Sequence, residues 1–388
     1  MMKAALLVGP RRIQVREVPV PRLKRGELLV RIRAVGICRS DVHYYRTGRI
    51  GDQVIRKWPQ LLGHEAAGEV WHVPPGVRGI HPGDRVAIEP AESCGTCIHC
   101  RNGRANICPR VKFLGMPGNP GAFAEFLAVG AGNLAKLPPR ATFEEGVALE
   151  PMAIGLHAVR LAESGRDLSS PGSESRWRAF VRLSPSSGLR HPRSLRDLAP
   201  SGRVRLFGGP IQEAAVVGSG PVGLSVVSAL RAESGARVTA FDSLPYRLRV
   251  ARVMGAVAQV RVNRRLPVSN TARRVARKWA CVFEAGGTED AVELALEIAS
   301  PGGVVALIGI HEGARTPVNL HLARRKELVL LNVRRSNYEL AECVRMVASG
   351  KLDLSPMISH RGGLEDTGRF FLLAEGYRNG MIKAVINP

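Results

Sequence analysis

A chain of 388 residues with 45% hydrophobic side chains can build two cored domains without disulfide staples. No apolar stretch is long enough to span a bilayer, and MMKAALLVGPRR is broken too early for a signal peptide, so a soluble, cytoplasmic protein without a membrane partner is expected. The formal net charge of +23 comes mainly from arginine, 47 against 9 lysines, with no basic tract. That pattern fits biased codon usage and polyanion binding alike, but nucleic-acid binders concentrate their charge on one face, so a nucleic-acid partner is not expected.

In chain order, the first third is rich in Val, Ile, Gly and Pro, with short alternating runs such as LLVRIRAVGI (Leu28–Ile37) and DRVAIEP (Asp84–Pro90). These predict strands broken by turns, hence a β-rich domain. Three residues able to bind a metal are scattered through it: Cys38 in GICRSDVHYY, and His64 and Glu65 in LLGHEAAGEV; Glu150 follows in VALEPMAIG. A thiolate, an imidazole and one or two carboxylates make an open metal site with room for water or substrate, although spacing alone leaves a structural role for GHE equally open.

Between these pieces lies SCGTCIHCRNGRANICP, where Cys94, Cys97, Cys100 and Cys108 give C-x2-C-x2-C-x7-C. Four soft thiolates at close spacing suit tetrahedral zinc and complete its shell, leaving no position for chemistry. His99 lies among them and is expected to face solvent. The remaining cysteines, Cys38, Cys281 and Cys343, are odd in number and dispersed, which argues for reduced thiols rather than a disulfide framework.

From Arg166 to Gln212 the chain carries nine Arg against three acids, many Ser, Pro and Gly, and no sustained periodicity. Such a composition predicts a mobile excursion, with an Arg-rich arm for an acidic partner as the functional alternative. The texture then changes. AAVVGSGPVGLSVVSALRAESGARVTAFD reads as strand, glycine turn, helix and strand, and GGVVALIGI follows the helical DAVELALEIAS. This alternation predicts a doubly wound parallel sheet.

Gly218, Gly220 and Gly223 stand at the turn between strand and helix, and Asp242 ends the next strand nineteen residues beyond Gly223. That context predicts a dinucleotide site: glycines for the tight turn, a helix N-terminus for the pyrophosphate, and Asp242 for the adenosine ribose. A carboxylate there repels a 2′-phosphate and favours NAD over NADP. Val222 belongs to the same turn, and Arg247 is placed to brace the ribose or to soften that discrimination.

Taken together, GICRSDVHYYRTGRIGD, LLGHEAAGEV, PGDRVAIEP, the four-cysteine lobe, GAFAEF, ALEPMAIGLHAV and GSGPVG resemble the zinc-dependent medium-chain dehydrogenases, and within them the sorbitol (polyol) dehydrogenase group. The resemblance spans nearly the whole chain outside Arg166–Gln212. It implies an α/β protein. A GroES-like β-rich catalytic domain would comprise residues 1–154 and 333–388, with a structural zinc lobe near 90–110. A Rossmann coenzyme domain would comprise residues 155–332, interrupted by the 166–212 insertion.

The resemblance further implies that Cys38, His64 and Glu65 ligate a catalytic zinc, with Glu150 as a direct ligand or acting through the metal-bound water. Asp41 would orient His64. Ser40 and His43 match positions that pass the substrate proton outward, and Tyr44, Phe113 and Arg334 match residues lining the substrate cleft. The implied reaction is oxidation of a secondary alcohol of a polyol, such as sorbitol or xylitol, to a ketose, with zinc stabilising the alkoxide and NAD taking the hydride. A homo-oligomer, dimer or tetramer, is implied too. A threonine- or butanediol-type enzyme shares the metal set, and an idle relative acting as a basic scaffold is the alternative from another class.

Two residues depart from the pattern. Arg39 stands beside Cys38 where the family usually has glycine, and either favours an acidic sugar derivative or points away. Arg335 follows Arg334 where the sorbitol enzyme has an aromatic residue, so the pocket is expected to differ from that enzyme's.

Overall fold

The computed structural model describes residues 1–166 and 210–388. The Arg-rich excursion expected over Arg166–Gln212 lies, between 167 and 209, outside the described residues. On its far side Ile211 is buried, and its N–H reaches Glu163 Oε1 at 3.4 Å, so the described chain resumes beside the helix it left.

Period-two patterning builds the first sheet. In the strand Glu27–Gly36, Leu28, Val30, Ile32 and Ala34 are buried on one face of the pleat. This strand lies inside a seven-stranded sheet ordered Leu134–Lys136, Arg85–Ile88, Glu65–His72, Glu27–Gly36, Lys383–Ile386, Ile358–Gly362, with Phe126–Gly130 also paired to Glu27–Gly36. All its pairings are antiparallel except that of Ile358–Gly362 with Lys383–Ile386. The C-terminal end of the chain thus returns to the first domain. Where Gly36 pairs with Glu65, a Cβ would stand 2.3 Å from Glu65 Oε2 and 2.6 Å from Val147 Cγ1. Glycine makes room there for the carboxylate.

The second sheet is wholly parallel, in the order Ala258–Arg261, Arg237–Asp242, Glu213–Val217, Trp279–Glu284, Ala299–Leu307, Val329–Asn332. Numbered within the sheet this is 3-2-1-4-5-6, the doubly wound arrangement expected from the alternating pattern, with the ligand crevice at the C-terminal ends of its central strands. Ala214–Val217 are buried on both faces, which a continuous apolar run requires.

One 24-residue helix, Phe143–Arg166, joins the two sheets. Its first half packs on the antiparallel sheet, where a Cβ on Gly146 would press on Ala67 at 2.7 Å. Further along, a Cβ on Gly155 would lie 2.6 Å from the Ser225 carbonyl carbon, so this helix meets the Pro221–Ser234 helix at backbone range. Glu150 sits between these two contacts, at the junction of the domains. No helix among the described residues is long and apolar enough to cross a membrane.

Candidate active site and metal centres

The helix Arg39–Thr47 opens with Cys38 at its N-cap. Asp41 fixes this corner: one carboxylate oxygen accepts the Cys38 N–H at 3.0 Å, and the other accepts the Gly63 N–H at 3.3 Å and lies 3.4 Å from His64 Nδ1. Asp41 therefore orients the imidazole and leaves its other nitrogen for a metal. Ligand atoms of Cys38, His64 and Glu65 all lie within 4.8 Å of one another. Burial acts to lower the His64 pKa, but the Asp41 and Cys38 charges outweigh it and hold it well above the ordinary value. The anions that draw a proton to His64 also favour a cation among the three residues.

Glu150 is buried nearby but stands outside that three-residue donor group. Its Oε2 has no hydrogen-bond partner among the described residues, and burial, followed by repulsion from Glu65, pushes its pKa up to about 7 against the opposing pull of His64. An orphaned carboxylate oxygen beside a thiolate, an imidazole and a second carboxylate fits a zinc site with one position open for chemistry.

Of the expected cleft residues, Ser40 is half-buried on the Arg39–Thr47 helix, with His43 three residues on. Among the described residues, His43 is buried without a hydrogen-bond partner in good geometry, although the Ile310 backbone approaches it. Burial and the Arg39 charge bring its pKa down to about 4. Tyr44 is buried, its hydroxyl donating to Gln53 Oε1 at 3.2 Å, and burial and Asp41 push its pKa up to about 12. The Phe113 ring lies 5.2 Å from the His64 ring.

The Arg334 side chain is exposed, and its backbone carbonyl accepts from Asn106 Nδ2 at 3.0 Å. Its neighbour Arg335 turns inward. With φ at +56°, Arg335 lays its guanidinium 4.2 Å over the Phe113 ring. The arginine beside the metal cluster is thus Arg335 and not Arg334.

The four-cysteine lobe is closed by a short antiparallel pair, Ala91–Glu92 with Lys112–Phe113. Sulfur atoms of Cys94 and Cys108 lie 3.5 Å apart, and those of Cys97 and Cys100 3.4 Å apart; all four ligand atoms fall within 4.8 Å of one another. Backbone N–H groups point at the sulfurs. The Thr96 N–H leads the effects that lower the Cys94 pKa to about 5, and the Cys100 N–H leads those that lower Cys97. Donors aimed at thiolates fit a closed tetrahedral zinc site. His99 is partly exposed and outside this group.

The lobe also grips the segment that carries Arg335. The Asn106 N–H donates to Asn337 Oδ1 at 3.2 Å, Asn337 Nδ2 donates to the Gly103 carbonyl at 2.7 Å, and the Ser93 and Tyr338 hydroxyls lie 2.9 Å apart.

At the glycine turn, Gly218 has φ +95°, and a Cβ there would stand 2.6 Å from the Gly286 nitrogen. A Cβ on Gly223 would stand 1.8 Å from the Gly218 carbonyl oxygen. No other residue fits either place. Val222 is partly buried on the helix that Gly220 caps. Asp242 accepts the Ser219 N–H through Oδ2 and the Leu244 N–H through Oδ1, each at 2.8 Å, which aims its carboxylate at the turn. Arg247 lies 3.9 Å from Asp242 Oδ2 and 4.5 Å over the Tyr377 ring, and Arg39 lies 4.8 Å over that same ring. Arg247 Nε and Arg39 Nη1 are buried without partners among the described residues. Two orphaned guanidinium nitrogens, one on each arginine sharing the Tyr377 ring, fit an anionic group of a dinucleotide.

Sequence reasoning missed three residues here. Lys383 is fully buried and ion-paired with Glu65; its signal was a single charge inside the apolar MIKAVIN. Glu89 is buried near Glu150, and burial with that neighbouring charge pushes its pKa up to about 8; its signal was an acid closing the apolar strand RVAI. Tyr377 has a left-handed backbone, φ +52°, that places its ring under two arginines and left no trace in any pattern.

Comparison with known proteins agrees with this architecture. The model of the alcohol dehydrogenase GroES-like domain matches residues 24–139, and that of the zinc-binding dehydrogenase domain matches residues 221–349. Sorbitol dehydrogenase of Bacillus subtilis (strain 168) is 30% identical over 392 residues, covering 100% of this chain and 97% of that protein. L-idonate 5-dehydrogenase of Vitis vinifera is 30% identical over 366 residues, covering 92% of this chain and 87% of the relative. The crystal structure of galactitol-1-phosphate dehydrogenase from Escherichia coli superposes with a TM-score of 0.78 at 27% identity, covering 100% of both chains. Identity at this level along both domains is more than a shared fold, and the chain belongs to the zinc-dependent medium-chain alcohol dehydrogenases, NAD-dependent enzymes, in the sorbitol (polyol) dehydrogenase group.

Proposed function

We propose that this protein oxidises a secondary hydroxyl of a polyol to the ketone, yielding a ketose and NADH. The observation that carries the reading is the donor set Cys38, His64 and Glu65, converging within 4.8 Å beside the orphaned Glu150 oxygen. The sorbitol and L-idonate dehydrogenase relatives support a polyol-type substrate by their names.

Cys38, His64 and Glu65 would hold a zinc ion, which would supply a Lewis acid favouring loss of the hydroxyl proton, and the glycine turn would hold NAD, which would supply the acceptor for the carbinol hydride and its electron pair. The chain's own residues do the rest. Asp41 keeps the His64 imidazole in the tautomer a metal needs. Ser40 receives the hydroxyl proton. His43, neutral because burial and Arg39 disfavour its charge, hands the proton outward. Glu150 orients the reacting hydroxyl and its neighbour on the next carbon, so vicinal diols are preferred over simple alcohols.

The test measures zinc per chain and then NAD reduction with sorbitol, xylitol, ribitol, butanediol and threonine. About two zinc ions per chain with polyol turnover is the expected result. Turnover of butanediol or threonine above every polyol moves the assignment to those enzymes, and turnover of no alcohol overturns the dehydrogenase reading.

A further inference from the structure

Among the described residues, Arg335 is a cation without a counter-ion. Among those residues its Nη1 is buried with no partner, and its Nη2 donates to the Met116 sulfur at 3.1 Å. Among the described residues, no carboxylate comes within ion-pair range of this guanidinium. Glu150 and Glu89 interact with it only at longer range, and Arg334 repels it. Burial with the Arg334 charge brings its pKa down to about 10, so it remains charged at neutral pH. A part-buried guanidinium with a nitrogen left buried and unpaired is costly, since such groups are normally paired or bound to an anion.

Its position says what would pair it. Phe113 carries Arg335 on one contact and His64 on another, so a single aromatic ring separates the guanidinium from the metal cluster. The left-handed backbone that turns Arg335 inward is unfavourable for a side chain of this size, and such strain is typical of ligand clamps. The Asn106–Asn337 and Ser93–Tyr338 contacts hold the segment in place from the four-cysteine lobe. A net charge of +23 adds a long-range field that steers anions toward the chain.

We infer that Arg335 binds an anionic group on the substrate, so that the substrate is an acidic polyol, with a carboxylate or phosphoryl group at the end of the chain away from the oxidised carbon. This rests on the proposed dehydrogenase reading for its chemistry. The guanidinium fork makes paired hydrogen bonds to either anion, whereas a neutral hydroxyl leaves its charge uncompensated. Phe113 restricts the anion to one edge of the fork by covering the guanidinium face.

The test compares kcat/KM of the zinc-loaded enzyme for D-gluconate, sorbitol 6-phosphate and sorbitol, with equilibrium binding of each compound in the presence of NADH. An acid is expected to exceed sorbitol, and which acid leads distinguishes the carboxylate from the phosphoryl group. In Arg335→Met, the ratio of acid to neutral kcat/KM should fall roughly 10- to 100-fold, the worth of a charge-assisted hydrogen bond, and Arg335→Lys should recover part of it. Raising the salt should depress kcat/KM for the acid more than for sorbitol. An unchanged ratio in Arg335→Met with folded protein, or equal losses on all three compounds, overturns the inference and makes Arg335 a counter-ion for Glu150 and Glu89. A failure of Arg335→Met to fold leaves the wild-type acid preference and its salt dependence as the deciding measurements, and their absence likewise overturns it. Arg335-dependent binding of the acids without turnover of any alcohol overturns the dehydrogenase reading and supports the anion site.

Discussion

Lys383 Nζ lies 2.6 Å from Glu65 Oε1 and 2.5 Å from Glu65 Oε2, with both side chains only 1% exposed. The same ammonium lies 3.3 Å from the Ile37 carbonyl, one residue before Cys38. One buried cation thus joins the C-terminal strand, the GHE strand and the segment entering the first helix at the metal cluster. Burial disfavours its charge, but Glu65 and Cys38 together hold its pKa above the ordinary lysine value.

Removing one member of a buried pair leaves the other charge uncompensated, typically costing about 3–5 kcal/mol. Lys383→Met should therefore destabilise the protein by about that amount in urea titrations run without metal at the Cys38 site, where no zinc can take over the Glu65 charge. Under the same conditions, adding Glu65→Gln should restore part of the loss, because a neutral partner no longer needs the cation. A double variant as unstable as the sum of both single variants would contradict the pairing.

The fold was legible because two periodicities carry it: alternation in Glu27–Gly36, and strand–turn–helix alternation from Glu213 to Asp242. The thiolates and the glycine turn were legible because they are local. Lys383 and Tyr377 were not, because their roles arise from contacts across more than three hundred residues of sequence to Glu65 and Arg39. The choice between Arg334 and Arg335 turned on a single left-handed backbone angle, which residue type does not announce.

Gly36 tests how tightly Glu65 is confined. A methyl group at that position would fall 2.3 Å from Glu65 Oε2. Gly36→Ala should lower stability by about 1–3 kcal/mol, as overpacking does, and weaken zinc retention at the Cys38 site more than at the four-cysteine lobe. Metal analysis after graded chelation would show the order of loss, and equal retention at both sites would count against the crowding argument.

The two metal sites should separate by mutation. Cys38→Ser should abolish NAD reduction while leaving thermal unfolding nearly unchanged. Cys97→Ser should lower the unfolding temperature, because structural zinc binding contributes directly to folding. It should also impair substrate binding, since the lobe holds the Arg334–Tyr338 segment through Asn106 and Ser93. Loss of activity in Cys97→Ser without any loss of stability would assign that cluster a chemical role.

Glu89 makes stability depend on pH. Its pKa rises from 4.5 to about 8 in the fold, first through burial and then through Glu150. The folded state therefore holds a proton that the unfolded state releases near pH 4.5, and the associated stability is lost as pH climbs through 8. Glu89→Gln removes that dependence. The variant should match the wild type below pH 4.5 and exceed it by on the order of 3–5 kcal/mol above pH 8, read from paired urea curves. A constant difference across this range would show that the carboxyl is not held neutral.

Asp242 is expected to set the coenzyme preference. Its oxygens are held toward the turn by the Ser219 and Leu244 N–H groups, with Arg247 3.9 Å away. A carboxylate so placed would accept from a ribose hydroxyl and disfavour a 2′-phosphate, and Arg247 alone would attract one. Asp242→Asn keeps an acceptor for one backbone N–H but removes the charge. It should narrow the NAD-over-NADP ratio of kcat/KM by roughly 10-fold or more, by weakening NAD binding and freeing Arg247 for the phosphate. Asp242→Asn combined with Arg247→Ala should lose the gained NADP activity while keeping the weakened NAD binding. A single variant whose ratio does not move would mean that Asp242 braces the turn and takes no part in choosing the coenzyme.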